Sequence, residues 1–346
     1  MNWLTRIGIH KLIEFSLTLF GLSLIAFFMI RLTPGDPVLL MLGERGADQE
    51  QYQKMIEQLH LDKSILSQYI EFARSSLSAD FGISTVTHQP VIKELMMRWP
   101  ATIELGLMAL LIAVVIGIPA GIIAAVKKNT FVDYLVMTSS VIGYSMPIFW
   151  WGLILIIFFS INLDITPVSG RLDIIYDIEP VTGFMLIDTL MPSVRADYGM
   201  DAFYSTLSHL ILPALAMATI PLAVFARMTR SSMLEVLAED YIRTAKAKGL
   251  SFMRIIWVHA FRNVLTTIIT LGGILFISTV ITGAILTETI FGWPGIGSYI
   301  VSSVYARDYP VIQASIILIG LFVIIVNILI DILYRFANPR LRIQTC

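Results

Sequence analysis

The sequence predicts an all-α integral membrane protein with six transmembrane helices. Three observations predict it: six apolar runs long enough to cross a bilayer, a shortage of charge, and a concentration of Lys and Arg in the segments on one side of those runs. Of 346 residues, 56% are hydrophobic and only 14% charged, against about a quarter charged in a soluble domain. The mean hydropathy is +0.79. A net charge of −1 supplies no basic surface of the kind nucleic acid requires, so no nucleic-acid partner is expected. The single cysteine, Cys346, excludes internal disulfides and multi-thiolate metal sites.

Crossing a bilayer takes roughly 17–25 predominantly apolar residues. Such runs fall at 10–31, 101–126, 134–161, 205–226, 264–287 and 311–334. The first follows Arg6 and Lys11 as a signal peptide would. Its stretch from Ile13 to Ile30 is longer than a signal core, and no small-x-small site follows, so a retained helix is expected. Short basic segments mark the cytoplasmic face. Arg6 and Lys11, Lys127 and Lys128, the 227–263 loop, and the tail with Arg335, Arg340 and Arg342 all fall on one side. Both termini are therefore expected in the cytoplasm.

The expected organisation is a first segment and span (1–31), an external subdomain (32–99), a core of five spans (100–337) and a cytoplasmic tail (338–346). The subdomain opens with the turn Thr33-Pro34-Gly35-Asp36-Pro37. Tyr52, Met55, Ile56 and Leu59 then follow helical spacing, and a second amphipathic stretch runs from Ser64 to about Leu77. The second external loop, 162–204, shows no readable pattern. Between Glu288 and Tyr309, the run Ile290-Phe291-Gly292-Trp293-Pro294-Gly295-Ile296-Gly297 is apolar and rich in helix breakers. It reads as a re-entrant or interfacial turn buried against protein. Breakers inside the spans (Gly143, Pro147, Pro213, Pro221, Gly272, Gly273, Gly283) either line a cavity or permit close packing.

The loop at 227–263 holds the densest pattern. Ser231 to Lys248 reads as one helix, with Leu234, Leu237, Tyr241 and Ala245 forming an apolar side. Glu235, Glu239 and Asp240 come early, while Arg243, Lys246 and Lys248 come late. The helix dipole favours that order, and Glu239 is spaced to pair with Arg243. Gly249 suits a left-handed C-terminal position, and Ser251 can cap a second helix. Small Ala245 and Ala247 beside the turn would let a partner's groove approach the backbone. The same residues also suit a plain solvated loop obeying the positive-inside rule.

The run Tyr241-Ile242-Arg243-Thr244-Ala245-Lys246-Ala247-Lys248-Gly249-Leu250, with His259-Ala260-Phe261-Arg262-Asn263 following, resembles the EAA-loop signature of binding-protein-dependent ABC permeases. Further stretches match the dipeptide/oligopeptide branch in order: Pro34-Gly35-Asp36-Pro37, Asp80-Phe81-Gly82-Ile83-Ser84, Thr102-Ile103-Glu104-Leu105, and Gly143-Tyr144-Ser145-Met146-Pro147-Ile148-Phe149-Trp150-Trp151. Later come Thr182-Gly183-Phe184-Met185-Leu186-Ile187-Asp188, Thr287-Glu288-Thr289-Ile290-Phe291, and Asn338-Pro339-Arg340. At the triplet itself Arg243 and Thr244 depart from the general form, a variant common in this branch.

The resemblance implies a type I ABC importer permease fold in a bacterial inner membrane. It implies as partners a homologous second permease, two ATPase subunits and an external peptide-binding protein, besides the lipid bilayer. It places no cofactor in this chain, with ATP and Mg on the ATPase subunits. Coupling residues would be Glu235, Glu239, Asp240, Tyr241, Arg243, Ala245, Lys246, Ala247 and Gly249, on a 231–249 helix seated in an ATPase groove. The cargo would be dipeptides or short peptides; nickel or haem is the alternative within the same family.

Two other classes fit less well. An ion-coupled carrier needs titratable groups within the membrane, yet Glu14 lies one turn from His10 and Lys11. Glu104 falls in the first turn of the second span, and Asp331 can pair with Arg335. An enzyme would need a nucleophile turn, but in Gly143-Tyr144-Ser145 the trailing glycine position is Pro147. No Gly-x-x-x-x-Gly-Lys-Ser/Thr run is present. The five histidines are scattered, so neither catalytic residues nor metal ligands are expected. Candidate pathway positions are Ser139, Tyr144, Ser145, Ser278 and Thr282.

Overall fold

The structure is a computed structural model describing residues 3–32, 38, 52, 53, 56 and 63–337, with the side chains at 3–12, 30 and 334–337 outside the description. Regular structure among these residues is helical: α1 (Trp3–Leu32), α2 (Ile65–Leu77), α3 (Val91–Val126), α4 (Phe131–Ser145), α5 (Ile148–Asn162), α6 (Met185–Asp188), α7 (Pro192–Tyr198), α8 (Asp201–Ala238), α9 (Asp240–Ala247), α10 (Phe252–Phe291), α11 (Ile296–Tyr305) and α12 (Tyr309–Ala337). The motifs Pro34-Gly35-Asp36-Pro37 and Asn338-Pro339-Arg340, together with Met55 and Leu59, lie outside the described residues.

Four helices, α3, α8, α10 and α12, are long and apolar enough to cross a membrane by length and composition. Helix α1 carries the first apolar run, Ile13–Met29. The third run differs from the single helix expected at 134–161: α4 and α5 meet at a 105° bend, making a broken span or a re-entrant pair. The cause is Pro147, which lacks an N–H and disfavours helical geometry at Met146, found extended at ψ 128°. Pro213 and Pro221 do not break α8, which runs through both, a tolerance known for prolines in membrane spans. Gly143 and Gly273 serve close packing, against Thr219 and Ile330 respectively.

Among the described residues the chain divides into two compact units: residues up to Trp99 with Tyr299–Ile325, and Pro100–Ser298 with the residues from Val326 on. In the first, Ser64 caps α2, accepting the Ser67 N–H at 3.4 Å. The Tyr69 hydroxyl meets that of Ser23 at 2.8 Å, and Arg31 lies over the Phe27 ring while bonding Gln68. Glu94 accepts the hydroxyls of Tyr299 (2.5 Å) and Thr87 (2.7 Å) beside a small core of Val91, Leu95, Val311 and Ala314. Burial pushes the Tyr299 phenol above its ordinary value, and the Glu94 carboxylate adds to this, so it stays a neutral donor. Ser84, from the Asp80–Ser84 motif, donates to Asp308.

The second unit holds the larger core, with Leu105, Ala109, Met217, Phe225, Val264 and Trp293 among its buried members. The second external loop acquires structure here. The buried Asp188 carboxylate accepts the N–H groups of Thr182 (2.9 Å) and Gly183 (3.0 Å) and the Thr182 hydroxyl (2.6 Å). Glu104 lies well inside α3, not in its first turn, so the helix dipole does not account for it. It pairs with Arg171 at 2.5 Å and accepts the Leu186 N–H at 2.8 Å, fastening the loop to α3. The side chains of His10, Lys11 and Arg335, expected beside Glu14 and Asp331, are outside the description.

Candidate functional site: the segment joining α8 to α10

Ser231 to Lys248 is two helices, correcting the single one expected. Glu239 is extended (φ −67°, ψ 148°), ending α8 and starting α9. The break lets α9 turn its own apolar face inward. Ile242 and Ala245 are buried in it, and Leu234, Leu237 and Leu250 pack on the same core with Ile255, Ile256 and Ala260. Tyr241, expected on the apolar side, is exposed instead, and Ile242 takes that place. Ala245, expected at the partner surface, faces inward for the same reason: it is one turn from Ile242.

What remains outward is Glu235, Glu239, Asp240, Tyr241, Arg243, Lys246, Ala247 and Gly249. Arg243 pairs with Asp240 at 3.4 Å and not with Glu239. At 77% and 94% exposure this pair holds little of the fold. Glu239 is outside α9's helical turns, which removes the four-residue geometry the pairing needed. Gly249 takes the left-handed conformation (φ 72°) anticipated for it. Ser251 occupies the N-cap position with extended backbone, though without a side-chain cap bond.

One tie was not visible in the sequence. Asn263 donates to the Tyr241 hydroxyl at 2.6 Å, and that hydroxyl donates to the His259 carbonyl at 3.3 Å. Both ends of the pair lie in the motif stretches, but nothing in their spacing links them. Asp133 and Arg230 were missed as well. Arg230 donates to both Asp133 oxygens (2.5 and 2.7 Å), joining α4 to α8. The available signal was an acid, Asp133, in the first turn of α4; Arg230 lies inside α8, away from its ends.

The five pathway candidates all lie on exposed surface. The Ser139 and Ser145 hydroxyls donate to the carbonyls of Val136 (3.1 Å) and Val141 (2.8 Å) of their own helix. Tyr144 sits under the Arg227 guanidinium at 4.8 Å. Thr282 lies in the π-helical stretch Thr279–Gly283 of α10 and Ser278 immediately precedes it; such defects recur at functional positions.

Long apolar helices, with the short charged α9 between two of them, define a multi-pass membrane protein. Comparison identifies its family. The family described as "Binding-protein-dependent transport system inner membrane component" matches residues 117–343, and its N-terminal counterpart matches 4–106. The chain belongs to this family and is a multi-pass inner-membrane permease. It is 52% identical over 327 residues to the di/tripeptide transport system permease protein of Pseudomonas aeruginosa (strain UCBPP-PA14), covering 94% of this chain and 96% of the relative. The dipeptide transport system permease protein of Escherichia coli (strain K12) is 47% identical over 329 residues, covering 94% and 95%. A chain of the MetNI methionine ABC transporter superposes with a TM-score of 0.51 at 16% identity, over 70% of this chain and 96% of that one. The fold is that of a type I ABC importer permease.

Proposed function

We propose that this permease carries dipeptides or short peptides inward across the inner membrane. It is driven by two ATPase subunits that bind ATP and Mg and grip the 231–249 segment. A homologous second permease completes the channel, and an external peptide-binding protein delivers the cargo. Both termini and the α8–α10 segment lie in the cytoplasm. The observation that carries this reading is α9 itself: a short helix anchored inward by Ile242 and Ala245, presenting Asp240, Tyr241, Arg243 and Lys246 outward. A rigid, charged projection of that kind is what a partner's groove can grip and push. The names of the two permease relatives support peptide as cargo.

Affinity purification of the chain in mild detergent tests the assembly. P-loop ATPases and a second permease should accompany it, and replacing Asp240, Tyr241, Arg243 and Lys246 together by alanine should release the ATPases. Unchanged recovery after that replacement would refute the coupling role. Uptake of a labelled dipeptide tests the cargo; uptake of nickel or haem in its place would overturn the peptide reading.

A further inference from the structure

Helix α10 begins just beyond the Gly249 turn and runs 40 residues to Phe291, about 60 Å at 1.5 Å per residue. It therefore links the coupling segment to whatever its far end holds. That end is built around a carboxylate. Glu288 is wholly buried, and among the described residues no Lys or Arg forms an ion pair with it. Its two oxygens accept from different segments: the Thr102 hydroxyl of α3 at 2.6 Å and the Ser298 N–H of α11 at 2.9 Å. Thr102 in turn accepts the Ile296 N–H at 2.8 Å, which leaves its own proton for Glu288. A second tie runs from the Trp293 indole N–H to the Ala101 carbonyl at 2.9 Å. Gly295 is required by proximity, because a Cβ there would collide with the Glu288 carboxylate.

A turn that only needed closing would use backbone bonds and apolar packing. Burying a carboxylate without a counter-charge is costly, and a group retained on those terms calls for a reason beyond closure. We propose that Glu288 is a positioning residue for transport. Through Thr102 it clamps the far end of α10 to α3, so that movement delivered at the coupling segment reaches α3 instead of being lost in the Gly292–Gly295 turn. This rests on the coupling reading above.

The test uses the whole transporter in liposomes, with its binding protein, and reads peptide taken up per ATP hydrolysed. Thr102→Val keeps the shape and removes the hydroxyl; it should lower that ratio about tenfold, the worth of one charge-assisted hydrogen bond. Thr102→Ser restores the hydroxyl and should restore the ratio. Glu288→Gln, which keeps an acceptor for Ser298, should fall between. Equal defects in Thr102→Val and Thr102→Ser would reduce the site to packing and overturn the proposal, as would a wild-type ratio in Glu288→Ala. If the Thr102 variants leave the ratio intact while the α9 alanine replacements abolish uptake, the clamp fails and the coupling reading stands. If the α9 replacements leave uptake intact, the coupling reading fails and takes this role of Glu288 with it.

Discussion

At the α9 end of α10, Asp240, Tyr241, Arg243 and Lys246 stand exposed around two buried anchors, whereas at the far end Glu288, Thr102 and Trp293 are buried, Thr102 bonding Glu288 and the Trp293 indole bonding the Ala101 carbonyl. The first region keeps its polar groups at the surface, where Asp240 pairs with Arg243 and the Tyr241 hydroxyl bonds Asn263 and the His259 carbonyl. The second buries its polar groups and ties Glu288, Thr102 and Trp293 to groups of this same chain. The lesson is that one helix can carry exposed polar groups at one end and buried, internally bonded ones at the other, and substitutions should separate the two.

The largest effect is expected at the buried end. Trp293→Ala removes a fully buried indole and its bond to Ala101, and should cost about 3–5 kcal/mol. Thermal unfolding of the purified chain measures this; an unchanged midpoint would mean the turn is not part of the core. Ile242→Ala comes next, at about 2–5 kcal/mol, but its loss should be local. ATPase recovery should fall while the core unfolds at nearly the wild-type temperature, and a global drop would erase the contrast between the ends. Gly249→Val places a β-branched residue at φ 72° with open space around it. Only backbone strain is at stake, about 1–2 kcal/mol, and transport with ATPase stimulation should be impaired in a well-expressed variant. Normal values for both would show that the turn is not required. The smallest effect on stability is expected from Arg243→Ala, since its pair with Asp240 is almost fully exposed. Unfolding should be unmoved while ATPase recovery weakens; a stability loss would mean that Arg243 belongs to the fold.

The sequence made these regions unequally legible. Gly249 was readable because a left-handed helix end favours glycine whatever surrounds it. Buried character in the Ile290–Gly297 run was readable from composition: Phe291, Trp293 and Ile296 are buried, while Gly292 and Pro294 are exposed. The break at Glu239 was not readable, because Ser231 to Lys248 contains neither Gly nor Pro. The break arises from α9 seating Ile242 on Ile255, Ile256 and Ala260, a tertiary preference that overrides an unbroken local pattern. The same override exchanged Tyr241 for Ile242 on the inward face, and moved Arg243 from Glu239 to Asp240.

By itself the sequence determined the apolar runs, their limits and the breakers within them, because hydrophobic length, missing charge and the backbone restrictions of Gly and Pro are properties of the chain alone. Its ordered motifs also determined the family. Only the tertiary structure decided which polar residues meet. Glu104 with Arg171, Asp133 with Arg230 and Glu288 with Thr102 are each separated by tens of residues or more. No periodicity encodes such distances; they arise when the helices pack and each buried polar group must find its partner among whatever the packing has brought within reach.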